Sequence, residues 1–88
     1  MIEKKFVIKN KLGLHARPAA LFVQLTTRFN SKVRVIRQGQ EVDGKSIMGL
    51  MILAAEQGST ITVIADGDDE QQVVDELAVL FDKNFEED

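Results

Sequence analysis

The hydrophobic pattern of the chain changes period repeatedly, and each change marks an element. Residues 2–9 alternate, with Phe6 and Ile8 on one face and Lys5, Val7 and Lys9 on the other, which predicts a β-strand. Asn10-Lys11-Leu12-Gly13 reads as a loop. Residues 16–28 then repeat at helical spacing and predict a helix burying Ala19, Phe22, Val23 and Thr26, broken at Asn30-Ser31. Val33, Val35 and Arg37 alternate with Lys32, Arg34 and Ile36 in a second strand. Gln38-Gly39-Gln40 is a turn and Glu41-Val42-Asp43 a brief third strand, so the two strands make a hairpin. Ser46 suits the N-cap of a helix over about 47–53 that ends before Gly58. Residues 60–65 are rich in β-branched side chains and predict the last strand. Asp68 is expected to cap a final helix, with Gln71 completing an imitation of a capping box. Val73, Val74, Leu77, Leu80, Phe81 and Phe85 recur at helical spacing and are assigned to the core. Glu86-Glu87-Asp88 is expected to be frayed and solvated.

The predicted order is β-α-β-β-α-β-α, and such an order makes a layered α+β domain with helices on one face of an antiparallel sheet. Periodicity alone does not separate this from a ferredoxin-like domain. At 88 residues, 1–88 is expected to be a single domain with one modest core.

Composition narrows the function classes. With 44% hydrophobic and 28% charged residues the chain has the balance of a globular protein, not a disordered one. It has no cysteine, which removes disulfides, zinc–thiolate sites and thiol catalysis together. A small domain without such staples fits a reducing cytoplasm, the expected location. One histidine and no cysteine argue against a transition-metal site, so neither metal nor cofactor is expected. Met1-Ile2-Glu3-Lys4-Lys5-Phe6 has no apolar core of a signal peptide, and no run approaches the length of a transmembrane helix, so no membrane insertion is expected.

Charge is unevenly distributed. Residues 1–45 hold ten Lys/Arg against three Asp/Glu (+7), and residues 46–88 hold one against eleven (−10), for a net charge of −3. The basic half would attract an anionic partner. Nucleic acid is the competing reading of that half, but the whole chain is acidic and has no Tyr or Trp for base stacking.

His15, the only histidine, lies in Lys11-Leu12-Gly13-Leu14-His15-Ala16-Arg17-Pro18-Ala19-Ala20. Pro18 has no N–H and is tolerated only in a helix's first turn, so a helix must begin close to His15. Pro18 also disfavours helical dihedrals at Arg17, so a start at Pro18, with His15 and Arg17 just outside, competes with an earlier one. Either way the imidazole lies at the positive end of a helix dipole, where backbone N–H groups bind phosphate, and beside the Arg17 guanidinium. A lone histidine is often a mere loop or capping residue. Here the helix start, the arginine and a glycine allowing close approach of the loop favour a histidine that carries a phosphoryl group. A free imidazole titrates near ~6.5 and is largely neutral and nucleophilic at pH 7. Arg17 would otherwise be a solvated surface residue; beside His15 its planar donors suit phosphoryl oxygens.

Residues 47–53, Ile-Met-Gly-Leu-Met-Ile-Leu, are apolar around the whole helix. A short helix on a sheet buries about half its surface, so part of this one should remain exposed, and an exposed apolar patch marks a partner site. Methionine adapts to several partners.

Gly13-Leu14-His15-Ala16-Arg17-Pro18-Ala19, followed by Lys45-Ser46-Ile47-Met48-Gly49, resembles the HPr phosphocarriers of the bacterial phosphoenolpyruvate-dependent sugar phosphotransferase system. The resemblance implies a four-stranded sheet in the order 1-4-2-3 with three helices on one side. It implies that His15 Nδ1 accepts a phosphoryl group from enzyme I, charged by phosphoenolpyruvate, and passes it to enzyme IIA domains, with Arg17 neutralising charge. Ile47, Met48 and Met51 would dock the partner, with Ala20 and Gln24 on the first helix as neighbours. Ser46 would be a regulatory phosphorylation site for an HPr kinase/phosphorylase, with a transcriptional regulator as a further candidate partner. A monomer is expected. Ala16 departs from members that have threonine there. Two alternatives stay open. One is a regulator of the same family acting through Ser46 or in a nitrogen-type phosphotransferase branch. The regulatory paralogue Crh lacks the histidine that this chain keeps. The other is a non-catalytic RNA- or ligand-binding module.

Overall fold

A computed structural model describes residues 1–86. The elements are β1 (Ile2–Val7), α1 (Ala16–Thr26), β2 (Lys32–Arg37), β3 (Gln40–Asp43), α2 (Ile47–Ile52), β4 (Thr60–Asp66) and α3 (Glu70–Asp82), then a 3₁₀ turn over Asn84–Glu86. The four strands form one antiparallel sheet in the order β1-β4-β2-β3. The registers place Phe6 opposite Ile61, and Val33 and Val35 opposite Ala65 and Val63. Strand side chains alternate between faces, so these residues share one face, and all are buried. The helices cover that face with Ala19, Phe22, Leu25, Leu50, Val73, Val74, Leu77 and Phe81, giving the open-faced α+β sandwich. Phe81 centres the packing: it stacks on Phe6 at 4.4 Å between ring centroids and meets Phe22 and Phe85 edge-on at 6.2 and 4.8 Å. Each such aromatic pair contributes about 0.5–1.5 kcal/mol beyond burial.

Several boundaries differ from the sequence-based expectations. β1 stops at Val7, because the Ile8 N–H and C=O turn to Ser59 O and Gly58 N, each at 2.8 Å. α1 ends at Thr26, not 28. Beyond it the Arg28 and Phe29 N–H groups take three-residue bonds to Leu25 and Thr26, and Thr26 Oγ1 donates to Gly44 O at 2.8 Å. Leu25, not Val23, takes the inward position, and Val23 is half-buried. Gln40 belongs to β3, α2 ends at Ile52, and β4 extends to Asp66. Leu80 is half-buried rather than core. Glu86 donates its N–H to Lys83 O at 2.8 Å and so belongs to the turn; Glu87 and Asp88 lie outside the described residues.

The cap of α3 is the largest local correction. Asp69, not Asp68, is the N-cap residue, and its side chain does not cap. Its carboxylate instead accepts from the Asn30 N–H at 2.9 Å, the Ser31 N–H at 3.0 Å and the Ser31 hydroxyl. Glu70 reaches back to the Gly67 N–H at 3.1 Å, and Gln71 donates to Asp75. Asp69 therefore ties the start of α3 to the end of α1, and the two helices run antiparallel.

The hydrogen bond from the Ser31 hydroxyl, then those from the backbone, hold the Asp69 carboxyl below its ordinary value. Its stabilisation is complete above the unfolded-chain carboxylate range and is lost as pH falls from there through the folded value. Asp69→Asn is expected to lower the melting temperature at pH 7, with the gap to wild type closing in acid. Thermal unfolding across that range checks this, and an equal gap in acid would contradict it.

Candidate functional site

The loop before α1 is fastened by the segment that follows α2. Gly13 has φ +67°, a region that side-chain-bearing residues rarely occupy. A Cβ on it would overlap the Ala55 carbonyl oxygen and lie 2.8 Å from Glu56 Cα. The missing side chain lets the Leu14 N–H donate to Ala55 O at 2.8 Å. Asn10 Nδ2 donates to Gly13 O at 2.6 Å, the Gly13 N–H donates to Asn10 O at 3.1 Å, and the Leu14 side chain is buried. His15 follows as the N-cap residue of α1, extended at φ −81° and ψ −170°.

α1 begins at Ala16, so Arg17 and Pro18 are its second and third residues and the later start at Pro18 does not occur. The His15 carbonyl accepts from the Ala19 N–H at 3.0 Å. Pro18 has no N–H to offer, and the Ala16 and Arg17 N–H groups have no acceptor among the described residues. This leaves two backbone donors at the positive end of the helix dipole, beside the histidine. Arg17 is exposed and makes no ion pair among the described residues, whereas Arg28 and Arg34 pair with Glu76 and Glu41. Lys9 and Lys11 in the same loop are also exposed.

α2 packs beside this end. Ser46 caps it, its Oγ accepting from the Gly49 N–H at 3.0 Å, and Arg37 Nη1 closes its other end by donating to Leu53 O at 3.1 Å. Leu50 and Leu53 face the core. Ile47, Met48, Met51 and Ile52 are 41%, 74%, 44% and 59% exposed, as expected of a helix too apolar for one-sided burial. Thr26 and Phe29, at and beyond the end of α1, bind Gly44 and Lys45. Met51, near the other end of α2, shares a hollow with His15. α2 therefore runs antiparallel to α1, with Ser46 at the end away from His15, about 7.5 Å along the helix axis from Met51. On α1, Arg17, Ala20 and Gln24 share one helical face. Ala20 is half-buried, and Gln24 is exposed and also lines the groove between α1 and α3 with Leu21 and Leu80. Leu12, Ile52 and Glu56 were not singled out from the sequence. Ile52 was legible in the apolar run and Leu12 lies in the histidine's own loop; Glu56 joins Leu12 and His15 on one hollow only through the fold.

The family model described as the PTS HPr component phosphorylation site matches residues 2–83. The chain belongs to the HPr phosphocarrier family. It is 47% identical over 88 residues to phosphocarrier protein HPr of Xylella fastidiosa, covering 100% of this chain and 99% of that protein. It is 51% identical over 83 residues to HPr-like protein Crh of Halalkalibacterium halodurans, covering 94% and 99%. The structure of HPr-C-His from Thermoanaerobacter tengcongensis matches it with TM-score 0.96 and 45% identity over 100% of this chain and 99% of that one. HPr proteins act with the enzymes of the phosphotransferase system, and some members, Crh among them, form dimers. No helix among the described residues is long and apolar enough to cross a membrane.

Gly13→Ala is expected to destabilise the protein by about 2 kcal/mol or more, because strain at positive φ adds to a backbone clash. Chemical denaturation measures this, and amide spectra should show residues 10–16 displaced. Wild-type stability with an unmoved loop would contradict the role assigned to Gly13.

Proposed function

We propose that the chain is a phosphoryl carrier in which His15 accepts a phosphoryl group from phosphoenolpyruvate-charged enzyme I and passes it to enzyme IIA domains for sugar uptake. One observation carries this function: His15 stands at the start of α1 beside two N–H groups with no acceptor among the described residues, the Arg17 cation and an exposed apolar helix face. The neutral imidazole, at Nδ1 as the family resemblance implies, attacks phosphorus while the donor's bond to phosphorus breaks. The N–H groups and Arg17 stabilise the oxygens during transfer. A dipole contribution of about 0.3–1 kcal/mol favours the phosphoryl group without trapping it, as a relay requires. Ile47, Met48, Met51, Ala20 and Gln24 form the docking face. The chain acts as one monomeric domain in the cytoplasm, and neither metal nor cofactor takes part.

A regulatory role is the second reading, supported by the identity to Crh and by Ser46 as the cap of α2. Phosphorylation by an HPr kinase/phosphorylase would place a dianion at the start of this helix, beside the docking face, and could create a surface for a transcriptional regulator. His15 favours the carrier. Genomic neighbourhood separates the sugar branch from a nitrogen-type branch.

His15→Ala is expected to fold normally and take no acid-labile label from enzyme I and phosphoenolpyruvate; labelling of the variant would refute the assignment. Arg17→Ala should slow transfer by at least tenfold with little loss of stability, since a charge-assisted contact contributes about 1.5–3 kcal/mol. Stopped-flow rates within twofold of wild type would contradict that role.

Met48→Asp and Ser46→Asp should each weaken binding to enzyme I while leaving the melting temperature nearly unchanged, because aspartate caps a helix about as well as serine. Calorimetric titration beside thermal unfolding checks both halves. Unchanged affinity in both variants would remove α2 from the interface.

A further inference from the structure

The sulfur chemistry of the chain is confined to three methionines, because cysteine is absent. Two of them, Met48 and Met51, stand three residues apart on α2 and so share one face of the helix. Met48 is 74% exposed and Met51 44%. Neither belongs to the hydrophobic core, which this part of the chain reaches through Leu50 and Leu53. Met51 also lines the hollow beside His15. Met1 is exposed to a similar degree, at 73%, but lies elsewhere. Its amine pairs with Glu70 at 2.8 Å, at the start of α3, which Asp69 ties to the end of α1 away from His15. All three side chains are open to a dissolved oxidant, and only two of them stand on the exposed apolar face.

We infer that Met48 and Met51 form a reversible oxidation site, at which hydrogen peroxide converts thioether to sulfoxide and so weakens binding to the protein that charges His15. The inference rests on the carrier function above and adds a redox control to it. In the step, a sulfur lone pair attacks one peroxide oxygen. A sulfur–oxygen bond forms as the oxygen–oxygen bond breaks, and the departing oxygen takes both protons and leaves as water. The sulfur gives up two electrons and the peroxide is reduced by them. The product is a polar group with a strong hydrogen-bond acceptor in place of a flexible apolar one. In the free protein water satisfies that acceptor, because both side chains lie outside the core. Against an apolar partner it must give up its water with no donor in return, and an unsatisfied buried acceptor carries its full desolvation penalty. Thiol-dependent reductases return sulfoxide to thioether, which makes the change a switch. With no cysteine in the chain, these two thioethers are where reversible sulfur oxidation reaches that face.

The test treats the full chain with hydrogen peroxide, locates the added oxygen by mass spectrometry, and measures the Kd for enzyme I by calorimetry before and after treatment. Wild type is compared with Met1→Leu and with the double variant Met48→Leu, Met51→Leu. Thermal unfolding, and acid-labile labelling of untreated wild type, serve as controls. Oxidation should raise the Kd of wild type and of Met1→Leu about tenfold, within the range set by one unsatisfied buried acceptor. The melting temperature should stay nearly constant, and methionine sulfoxide reductases with dithiothreitol should restore the original Kd. Whatever its own starting affinity, the double leucine variant should bind equally before and after treatment. An unchanged Kd in wild type oxidised at Met48 and Met51 would overturn the switch alone. So would an equal loss in the double leucine variant, a loss that accompanies unfolding, or peroxide that oxidises Met1 and leaves Met48 and Met51 intact. Failure of untreated wild type to take label would overturn the carrier function and the switch together.

Discussion

The site depends on one backbone hydrogen bond, from the Leu14 N–H to the Ala55 carbonyl. It exists because Gly13 has no side chain and adopts a positive φ, bringing two loops from opposite halves of the chain into contact. Its 2.8 Å length and the burial of Leu14 fix the direction in which the chain enters α1. Pro18 confines the helix start to a few positions, and with the chain entering in this direction His15 is the N-cap residue. The same bond joins the loop carrying the histidine to the segment just after α2, the helix with the exposed apolar side chains. His15 and the exposed apolar side chains of α2 are thus positioned relative to each other by a single contact.

The antiparallel arrangement of α1 and α2 gives this contact its consequence. His15 lies at one end of the exposed apolar surface and Ser46 at the other. The first is set among exposed cations and backbone donors, which suit an incoming phosphoryl group. The second is a helix cap, where a dianion would be tolerated by the helix yet disturb whatever docks beside it. On the proposed function, the transfer site and the control site would then lie at opposite ends of one exposed apolar surface. Lys45 Nζ donates to the Phe29 carbonyl and Arg37 closes α2, while Arg17 is exposed and makes no ion pair among the described residues.

Local features were legible in the sequence. Pro18 confined the start of α1 to a few positions without choosing among them, Ser46 marked the cap of α2, and the partial exposure of α2 followed from an apolar run longer than one face can bury. Non-local features were not. Asp69 resembles an ordinary capping residue until Asn30 and Ser31, about 38 positions away, claim its carboxylate. The strand order came from family resemblance, because alternation reports which face is buried but not which strands are neighbours. Glu56 escaped notice for the same reason: it is distant from His15 in sequence until the Gly13–Ala55 contact brings both onto one hollow.

The central claim is that phosphate on His15 is received by the start of α1. It is tested most directly by amide NMR of the protein before and after phosphorylation, with the imidazole nitrogens labelled. A phosphoryl group held at this helix start should appear on one imidazole nitrogen of His15 and shift the Ala16 and Arg17 amide protons strongly downfield as they donate to its oxygens. Amides of β1, β3 and α3 should stay in place. A phosphoryl group found on another residue, or on His15 with the Ala16 and Arg17 amides unmoved, would contradict the account.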